Sequence, residues 1–212
     1  MDQDINENLK KYIENSLFPQ YSKNEEGHGI NHINYVITRS FELINQNDLQ
    51  VNYDMVYVIA AYHDIGHHID AKNHEKVSAE IMSKDENLKN FFSEEQLRII
   101  KEAIEDHRAS SKAEPRSIYG KIVSSADRNN TVEQCLERTY TYARKNEPNL
   151  TDKQIYERAY NVLNNKFGYN GYAKFFFKDK QYEEFLNNIR ILLEDKENFC
   201  RVQEEYIKKK GL

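Results

Sequence analysis

The sequence predicts an all-α protein, and three observations support this fold class. Apolar residues recur at helical intervals along most of the chain, which places them on one face of an α-helix. Only 7 of the 212 residues are Gly and 3 are Pro, so few positions interrupt these segments. No segment shows sustained alternation of apolar and polar residues between turn signals, as a β-hairpin would.

The sequence predicts three helices in the first part of the chain, with a loop between the first and the second. Apolar residues at intervals of four predict a helix over residues 4–17, which the Phe18-Pro19 step ends because proline lacks an amide donor. A loop with two glycines follows, and a second helix is predicted over 31–43. The third helix, over 53–63, is apolar on all sides. We therefore expect it to lie buried at the centre of the fold.

The remaining periodicity predicts five further helical segments and one division of the chain. We expect the segment over 117–145 to break near Asn129. We also expect a change in composition to begin at Pro148. We therefore expect one domain over 1–147, with its core at about 25–130, and C-terminal helices over 148–212 that pack on it. The segments predicted after the third helix cover 73–84, 94–108, 117–145, 152–165 and 180–209.

Charge and composition exclude several classes of function. The formal net charge is −5, which argues against binding of extended nucleic acid on a broad basic face. No apolar run approaches the roughly 20 residues of a membrane span. The acidic start does not resemble a signal peptide, and the two cysteines lack metal-site or redox spacing. We expect a cytoplasmic protein with no membrane partner.

Histidines are concentrated in one part of the chain. All seven lie between residues 28 and 107, and none follows. Histidine is the commonest metal ligand among side chains, and helices that pack as a bundle can bring such residues together. The seven are His28, His32, His63, His67, His68, His74 and His107.

One dipeptide within this region is the strongest local signal. His63-Asp64 directly follows the buried apolar helix, so an imidazole and a carboxylate sit side by side at the edge of the core. His32 precedes it near the start of a predicted helix, and Asp127 follows at the end of another. An isolated His-Asp pair is common by chance, but the ordered set is not.

The order His, His-Asp, Asp resembles the HD-domain superfamily of metal-dependent phosphohydrolases over about residues 25–130. This resemblance implies an HD-domain helical bundle with a C-terminal helical extension. It also implies that His32, His63, Asp64 and Asp127 are metal ligands.

Two further histidines occupy positions where binuclear members of this superfamily carry extra ligands. His74 opens a predicted helix, and His107 lies three residues after Ile104 on the apolar stripe of its helix. The resemblance therefore implies that His74 and His107 can bind a second metal ion. Imidazole and carboxylate ligands suit a divalent transition metal such as Fe, Mn, Co, Ni or Zn without choosing among them.

A local excess of positive charge indicates the substrate class. Residues 107–128 hold five Lys or Arg against two acids, a local charge of +3, which favours a small phosphorylated substrate, including a nucleotide. Arg108, Lys112 and Arg128 are the predicted phosphate contacts, with His28 beside them. Asp64, Asp70 and Glu75 are the predicted catalytic carboxylates, although nothing in the sequence orients the last two.

These observations lead to one principal hypothesis and two alternatives. The principal hypothesis is a phosphohydrolase that acts on a small phosphomonoester or a nucleotide-like phosphoester or anhydride through metal-activated water. Some relatives of this fold instead use a binuclear iron centre to activate dioxygen, so an HD-fold di-iron oxygenase is the first alternative. A metal-stabilised binding module without catalysis is the second. The last helix can form a lid on the domain or a homodimer seam.

Overall fold

The computed structural model of the protein describes residues 5–108, 113–128, 131–173 and 176–212. Within these ranges the chain forms α-helices and short 3-10 segments and no β-strand, so the predicted all-α class is confirmed. No helix in the described ranges combines the length and apolar character needed to cross a bilayer. The described residues form two compact units.

The first unit runs to Arg128 and includes the short segment that ends at Lys178. Short 3-10 segments cover Phe18–Lys23, Glu26–His28 and Glu86–Asn90. The six α-helices of this unit are α1 (Glu7–Ser16), α2 (Ile30–Gln46), α3 (Tyr53–Tyr62), α4 (His74–Ser83), α5 (Glu94–Asp106) and α6 (Ile118–Ala126).

Helix α3 forms the centre of the first unit. Every residue from Met55 to Tyr62 is buried, and α3 packs against α1, α2, α4, α5 and α6. A helix surrounded in this way needs apolar residues on all its faces, which is what the sequence pattern predicted. The end of α3 is consequently fixed by the surrounding helices.

The second unit contains the other described residues and is built from four helices. All six pairings among these helices occur, so they form a bundle with its own core. Buried side chains from each helix meet in this core, among them Leu136, Leu163, Ile189 and Phe199. The helices are α7 (Val132–Asn146), α8 (Asp152–Phe167), α9 (Lys180–Leu193) and α10 (Lys196–Lys210).

The division between the units falls earlier than the expected boundary at 147/148. Helix α7 buries Cys135, Leu136, Tyr140 and Ala143 with the later helices, so it belongs to the second unit. Pro148 lies in the connection between α7 and α8. The change in composition there marks a loop, whereas the change in packing follows Arg128.

The expectation of one helix over 180–209 is wrong, because the structure has two. Helix α9 ends at Leu193, and Asp195 starts α10 by accepting hydrogen bonds from the backbone amides of Glu197 (2.8 Å) and Asn198 (3.1 Å). An aspartate in this role satisfies amide groups that have no partner inside the helix. The apolar periodicity continued across the break and concealed it.

This cap predicts a measurable loss of stability. Asp195→Ala should lower the free energy of unfolding by about 1 kcal/mol, because two amides at the start of α10 lose their acceptor. Asp195→Asn keeps an acceptor oxygen and should lose less than half of that amount. Urea unfolding of the three proteins tests the cap, and equal losses in both variants would contradict it.

Candidate metal centre

The predicted ligands all lie at helix ends in the first unit. His63 is the C-terminal cap of α3 and Asp64 follows it, while His74 is the first residue of α4. His32 lies in the first turn of α2. His107 and Asp127 are the C-terminal caps of α5 and α6. The bundle brings these ends together because α3 packs against each of the other four helices.

Hydrogen bonds from other elements hold the end of α3. The Tyr21 hydroxyl donates to the carbonyl oxygen of Ala61 at 2.6 Å. The Tyr62 hydroxyl donates to the Asp85 carboxylate, which also accepts from the Tyr12 hydroxyl at 2.6 Å. Burial and the bond to Asp85 raise the pKa of Tyr12. The peptide that leads into His63 is therefore fixed.

Asp64 is the centre of the cluster. Its side chain is 3% exposed, and its two oxygens face different histidines. Burial alone would raise the pKa of this carboxyl, but His63, His107, His28 and His32 outweigh that effect and hold it well below its ordinary value. The carboxylate is therefore ionised, and its charge requires cationic partners.

One oxygen of Asp64 belongs to a first donor set, which we define as His32, His63, Asp64 Oδ2 and Asp127. His63 Nε2 lies 3.3 Å and His32 Nε2 3.5 Å from Asp64 Oδ2. His32 Nε2 lies 3.1 Å from Asp127 Oδ1 and 3.3 Å from His63 Nε2. Donor atoms about 2.1 Å from an octahedral metal ion lie roughly 3.0 Å from their neighbours. The set therefore has the spacing of ligands around one ion.

The other oxygen belongs to a second donor set, which comprises His74, His107 and Asp64 Oδ1. His74 Nε2 lies 3.3 Å and His107 Nε2 3.6 Å from this oxygen, and the two nitrogens are 3.2 Å apart. Asp64 therefore offers one oxygen to each donor set. Both extra histidines are in the cluster.

The tautomers of three histidines show that the donor sets are suited to a cation. The Nδ1 atoms of His63, His74 and His107 lie 2.8, 3.1 and 2.6 Å from the carbonyl oxygens of Ala60, Ala71 and Ile104. A carbonyl oxygen only accepts, so each Nδ1 carries the proton. A neutral ring of this tautomer directs a lone pair from Nε2 into the cluster. The Nε2 atoms of His74 and His107, 3.2 Å apart, therefore have either a proton or a metal ion between them, and such carbonyl contacts are typical of metal-ligating histidines.

Burial and neighbouring carboxylates act in opposite directions on the pKa of His32 and on that of His107. Burial alone would lower the pKa of His32, but Asp127 and Asp64 outweigh it and raise the pKa to about 9. His107 shows the same balance, with Asp64 raising its pKa against burial. Burial lowers the pKa of His74. In the metal-free protein, protons on His32 and His107 therefore supply the positive charge that the carboxylates require.

The predicted substrate contacts are only partly brought to the cluster. His28 Nδ1 lies 2.7 Å from Asp64 Oδ2. Arg108 donates to the carbonyl oxygen of Lys72 and lies 3.4 Å from Glu75 Oε2. Arg128 is buried beside Asp127, where it donates to Ser124 Oγ at 2.9 Å. The fourth predicted contact, Lys112, lies outside the described residues.

The basic character of the 107–128 segment is reduced by local pairing. Arg116 binds Glu105 at 2.6 Å and Asp106 at 2.9 Å, and Lys121 binds Glu114 at 2.8 Å. The predicted local charge of +3 therefore does not describe a free basic face. Of the described cations, Arg108 and Arg128 are adjacent in sequence to cluster residues.

The three predicted catalytic carboxylates have different surroundings. Asp64 is in both donor sets. Glu75 is half-buried, follows His74 directly and is paired with Arg108. The structure does not bring Asp70 to the cluster, because its carboxylate accepts hydrogen bonds from Lys72 and Asn73 and closes its own turn. These bonds lower its pKa, which is unsuitable for a general acid at neutral pH.

The structure also assigns functions to residues that the sequence analysis did not single out. Asn24 donates to the carbonyl oxygens of His28 (3.0 Å) and Asp64 (2.9 Å) and accepts from the backbone amide of His68 (3.1 Å). The His67 ring stacks on His28 with centroids 3.8 Å apart. An asparagine that binds backbone groups leaves no motif, so no signal in the sequence identified Asn24.

Gly66 determines how closely the turn after Asp64 approaches α4. A Cβ atom at this position would lie 2.8 Å from the backbone nitrogen of Ser78 and 2.7 Å from a methyl carbon of Val77. The Gly66 amide also donates to Ser78 Oγ at 3.0 Å. This close approach places Asp64 beside His74.

Comparisons with known proteins agree with this geometry. The family model described as HD domain matches residues 29–130, which include both donor sets. A crystal structure of a predicted HD superfamily hydrolase from an uncultured Thermotogales bacterium is similar in fold. It aligns with 72% of this chain and 86% of its own, with a TM-score of 0.50 and 22% sequence identity. A search of curated proteins finds no significant match.

Substitution of Gly66 should affect stability and the second donor set together. Gly66→Ala should lower the free energy of unfolding by about 1–3 kcal/mol, because the added methyl group meets backbone that cannot move cheaply. It should also weaken the binding of a metal ion by His74 and His107, because it displaces Asp64. Gly27→Ala is the matched control, since a Cβ there has no neighbour within 4 Å. Urea unfolding and metal titration measure the two effects, and a silent Gly66→Ala would contradict the packing argument.

The pKa of His32 predicts the pH dependence of the metal-free protein. The folded value of about 9 lies above the ordinary value of 6.5, so protonated His32 stabilises the fold below pH 6.5. This contribution, on the order of 3 kcal/mol, is lost as the pH rises through 9. Urea unfolding in the presence of a chelator should show this decline between pH 6.5 and 9.

His32→Gln is the control for this pH series. It should retain only the decline that His107 contributes, because the pKa of His107 is raised in the same direction. A slope equal to that of the unaltered protein would show that His32 is not the titrating group.

Proposed function

Residues 29–130 match the family model of the HD domain, and from this premise we propose that the protein is a metal-dependent phosphohydrolase. Its proposed substrate is a small phosphomonoester or a nucleotide-like phosphoester or anhydride, and the reaction is hydrolysis at phosphorus. The observation that carries the proposal is the position of Asp64 between two donor sets. A bridging carboxylate with imidazoles on both sides is a ligand arrangement for two adjacent divalent ions.

The chemistry of the donors fits a divalent transition metal better than magnesium. The first set offers two imidazole nitrogens and two carboxylate oxygens, and the second offers two nitrogens and one oxygen. Mixed nitrogen and oxygen ligands suit Fe, Mn, Co, Ni or Zn. Such ions, when bound, lower the pKa of water towards 7 and neutralise charge on phosphoryl oxygens.

The protein's own residues have distinct tasks in this reaction. The carbonyl oxygens of Ala60, Ala71 and Ile104 fix the ring orientation of the ligating histidines. Arg108, next to His107, would contact a phosphate that approaches the second donor set, and Glu75, 3.4 Å from Arg108, would orient the guanidinium. Because the second set has only three protein donors, an ion held there would keep more coordination positions for substrate and water than an ion held by the first set.

An HD-fold di-iron oxygenase is the second candidate. The observation that favours it is the presence of six ligands around two sites, since His74 and His107 both join the cluster. The two candidates share the ligands and differ in the reaction. They are separated by the metal that supports turnover and by the product released.

The test combines metal analysis with assays of one substitution. Purified protein should bind up to two equivalents of metal and release phosphate from a panel of phosphate esters and nucleotides with manganese, cobalt, nickel or iron. Asp64→Asn should abolish both, because the bridging charge is lost at both sites. Asp48→Asn removes an exposed carboxylate and should leave metal content and turnover unchanged.

Two outcomes would redirect the assignment. Two iron equivalents with dioxygen consumption and no phosphate release would support the oxygenase. Metal that raises thermal stability without turnover of any substrate in the panel would support a non-catalytic binding module.

A further inference from the structure

We infer that His28 is a fifth protein ligand of the metal ion in the first donor set and binds it through Nδ1. The inference rests on the metal centre of the proposed function. His28 lies four residues before His32, as the last residue of the 3-10 segment Glu26–His28. Its Nδ1 is 2.7 Å from Asp64 Oδ2, and the donor atoms of His28, His32 and Asp64 all lie within 4.8 Å of one another.

Several donors converge on the same oxygen of Asp64. Oδ2 faces His32 Nε2 at 3.5 Å, His63 Nε2 at 3.3 Å and His28 Nδ1 at 2.7 Å, whereas Oδ1 faces the second donor set. His28 is therefore on the side of the first ion. Its distance to Oδ2 is close to the roughly 3.0 Å expected between neighbouring ligands of an octahedral ion.

The orientation of the His28 ring differs from that of the other histidines. His63, His74 and His107 use Nδ1 to bind a carbonyl oxygen three residues earlier and direct Nε2 into the cluster. His28 directs Nδ1 into the cluster, and its ring is 37% exposed. Nε2 points away from Asp64 because the two nitrogens flank one ring carbon and their outward directions diverge. With the proton on that outer nitrogen, Nδ1 is free to bind metal.

Two contacts hold His28 in this position. Asn24 Nδ2 donates to the carbonyl oxygen of His28 at 3.0 Å and to that of Asp64 at 2.9 Å, so one amide fixes both backbone segments. The His67 ring stacks on His28 at 3.8 Å with an interplanar angle of 17°. Asn24 is therefore a positioning residue for this ligand. A side chain held from the backbone and from one face loses little freedom when it binds an ion.

A fifth ligand would make the two sites unequal. The first ion would have five protein donors and one open octahedral position, while the second would have three donors. Three imidazoles at the first site favour nitrogen-preferring metals such as iron, nickel or zinc. The first ion would then be the more firmly held, and substrate oxygens would bind at the second.

The alternative role for His28 is a hydrogen bond from Nδ1 to Asp64 that orients the carboxylate. The two roles differ in the number of nitrogens bound directly to the first ion, which is three if His28 is a ligand and two if it is not. Loss of His28 lowers metal affinity in both cases. Affinity alone therefore does not separate them, whereas a count of coordinated nitrogens does.

The experiment is pulsed EPR on the full chain loaded with half an equivalent of Mn²⁺. We expect three coordinated imidazole nitrogens in the unaltered protein, two in His28→Ala, and three again when free imidazole is added to His28→Ala. His68→Ala is the matched control, since His68 is an exposed neighbour that contacts Asn24, and it should retain three. Affinity for Mn²⁺ should fall at least tenfold in His28→Ala.

Two nitrogens in both the unaltered protein and His28→Ala would overturn the inference. If His28→Ala does not fold or bind Mn²⁺, the count in the unaltered protein decides, with three in support and two against. The count is independent of turnover. Three nitrogens without phosphate release would reject the phosphohydrolase but support His28 as a ligand. Phosphate release with two nitrogens would support the phosphohydrolase but reject His28 as a ligand.

Discussion

The buried charge of Asp64 is the constraint on which the rest of the first unit depends. A carboxylate that is 3% exposed is costly unless cationic or hydrogen-bonding partners surround it. Here the partners are imidazoles from the segment before α2 and from α2, α3, α4 and α5, which contact both oxygens. Five separate parts of the chain must therefore meet at one point, and removing any of them leaves the carboxylate less compensated.

The core makes this meeting point rigid. Helix α3 is buried on all sides, so its end cannot shift without disturbing five neighbouring helices. Tyr21 and the Tyr12–Asp85–Tyr62 network tie that end from outside the helix. Gly66 then allows the following turn to pack onto α4. Hydrophobic burial supplies the fixed frame, and these polar contacts set the direction in which His63 and Asp64 project.

Most of the fold and the composition of the cluster could be predicted from the sequence. The helices follow from apolar periodicity, and the burial of α3 follows from its lack of a polar face. The break at Asp195 was missed because the periodicity continues through a local cap. The division after Arg128 differs from the composition boundary at 147/148, because it depends on which helices α7 packs against, and packing partners are not encoded in a local window.

At the site, too, the sequence pattern indicates which residues are present but not which contacts their side chains make. His74 and His107 were expected from their helix positions, and both lie in the cluster. Asp70 seemed suited to acid catalysis by position alone, yet its own turn uses its carboxylate. Arg116 and Lys121 contribute to a basic segment in the sequence, but in the structure nearby carboxylates pair with them. Asn24 left no pattern because it acts on backbone groups.

The two donor sets differ in their number of protein donors, and this difference bears on the proposed reaction. The first set has four protein donors, two imidazole nitrogens and two carboxylate oxygens. The second set has two imidazoles and one oxygen of Asp64, and Arg108 and Glu75 follow its histidines directly in the chain. A phosphate that binds on this side meets a cation and open coordination positions together. Hydrolysis of a phosphate ester would use both, because the arginine and a bound ion would together neutralise the phosphoryl oxygens. Dioxygen activation needs the open positions but not the arginine, and for this reason the Arg108–Glu75 pair favours the phosphohydrolase.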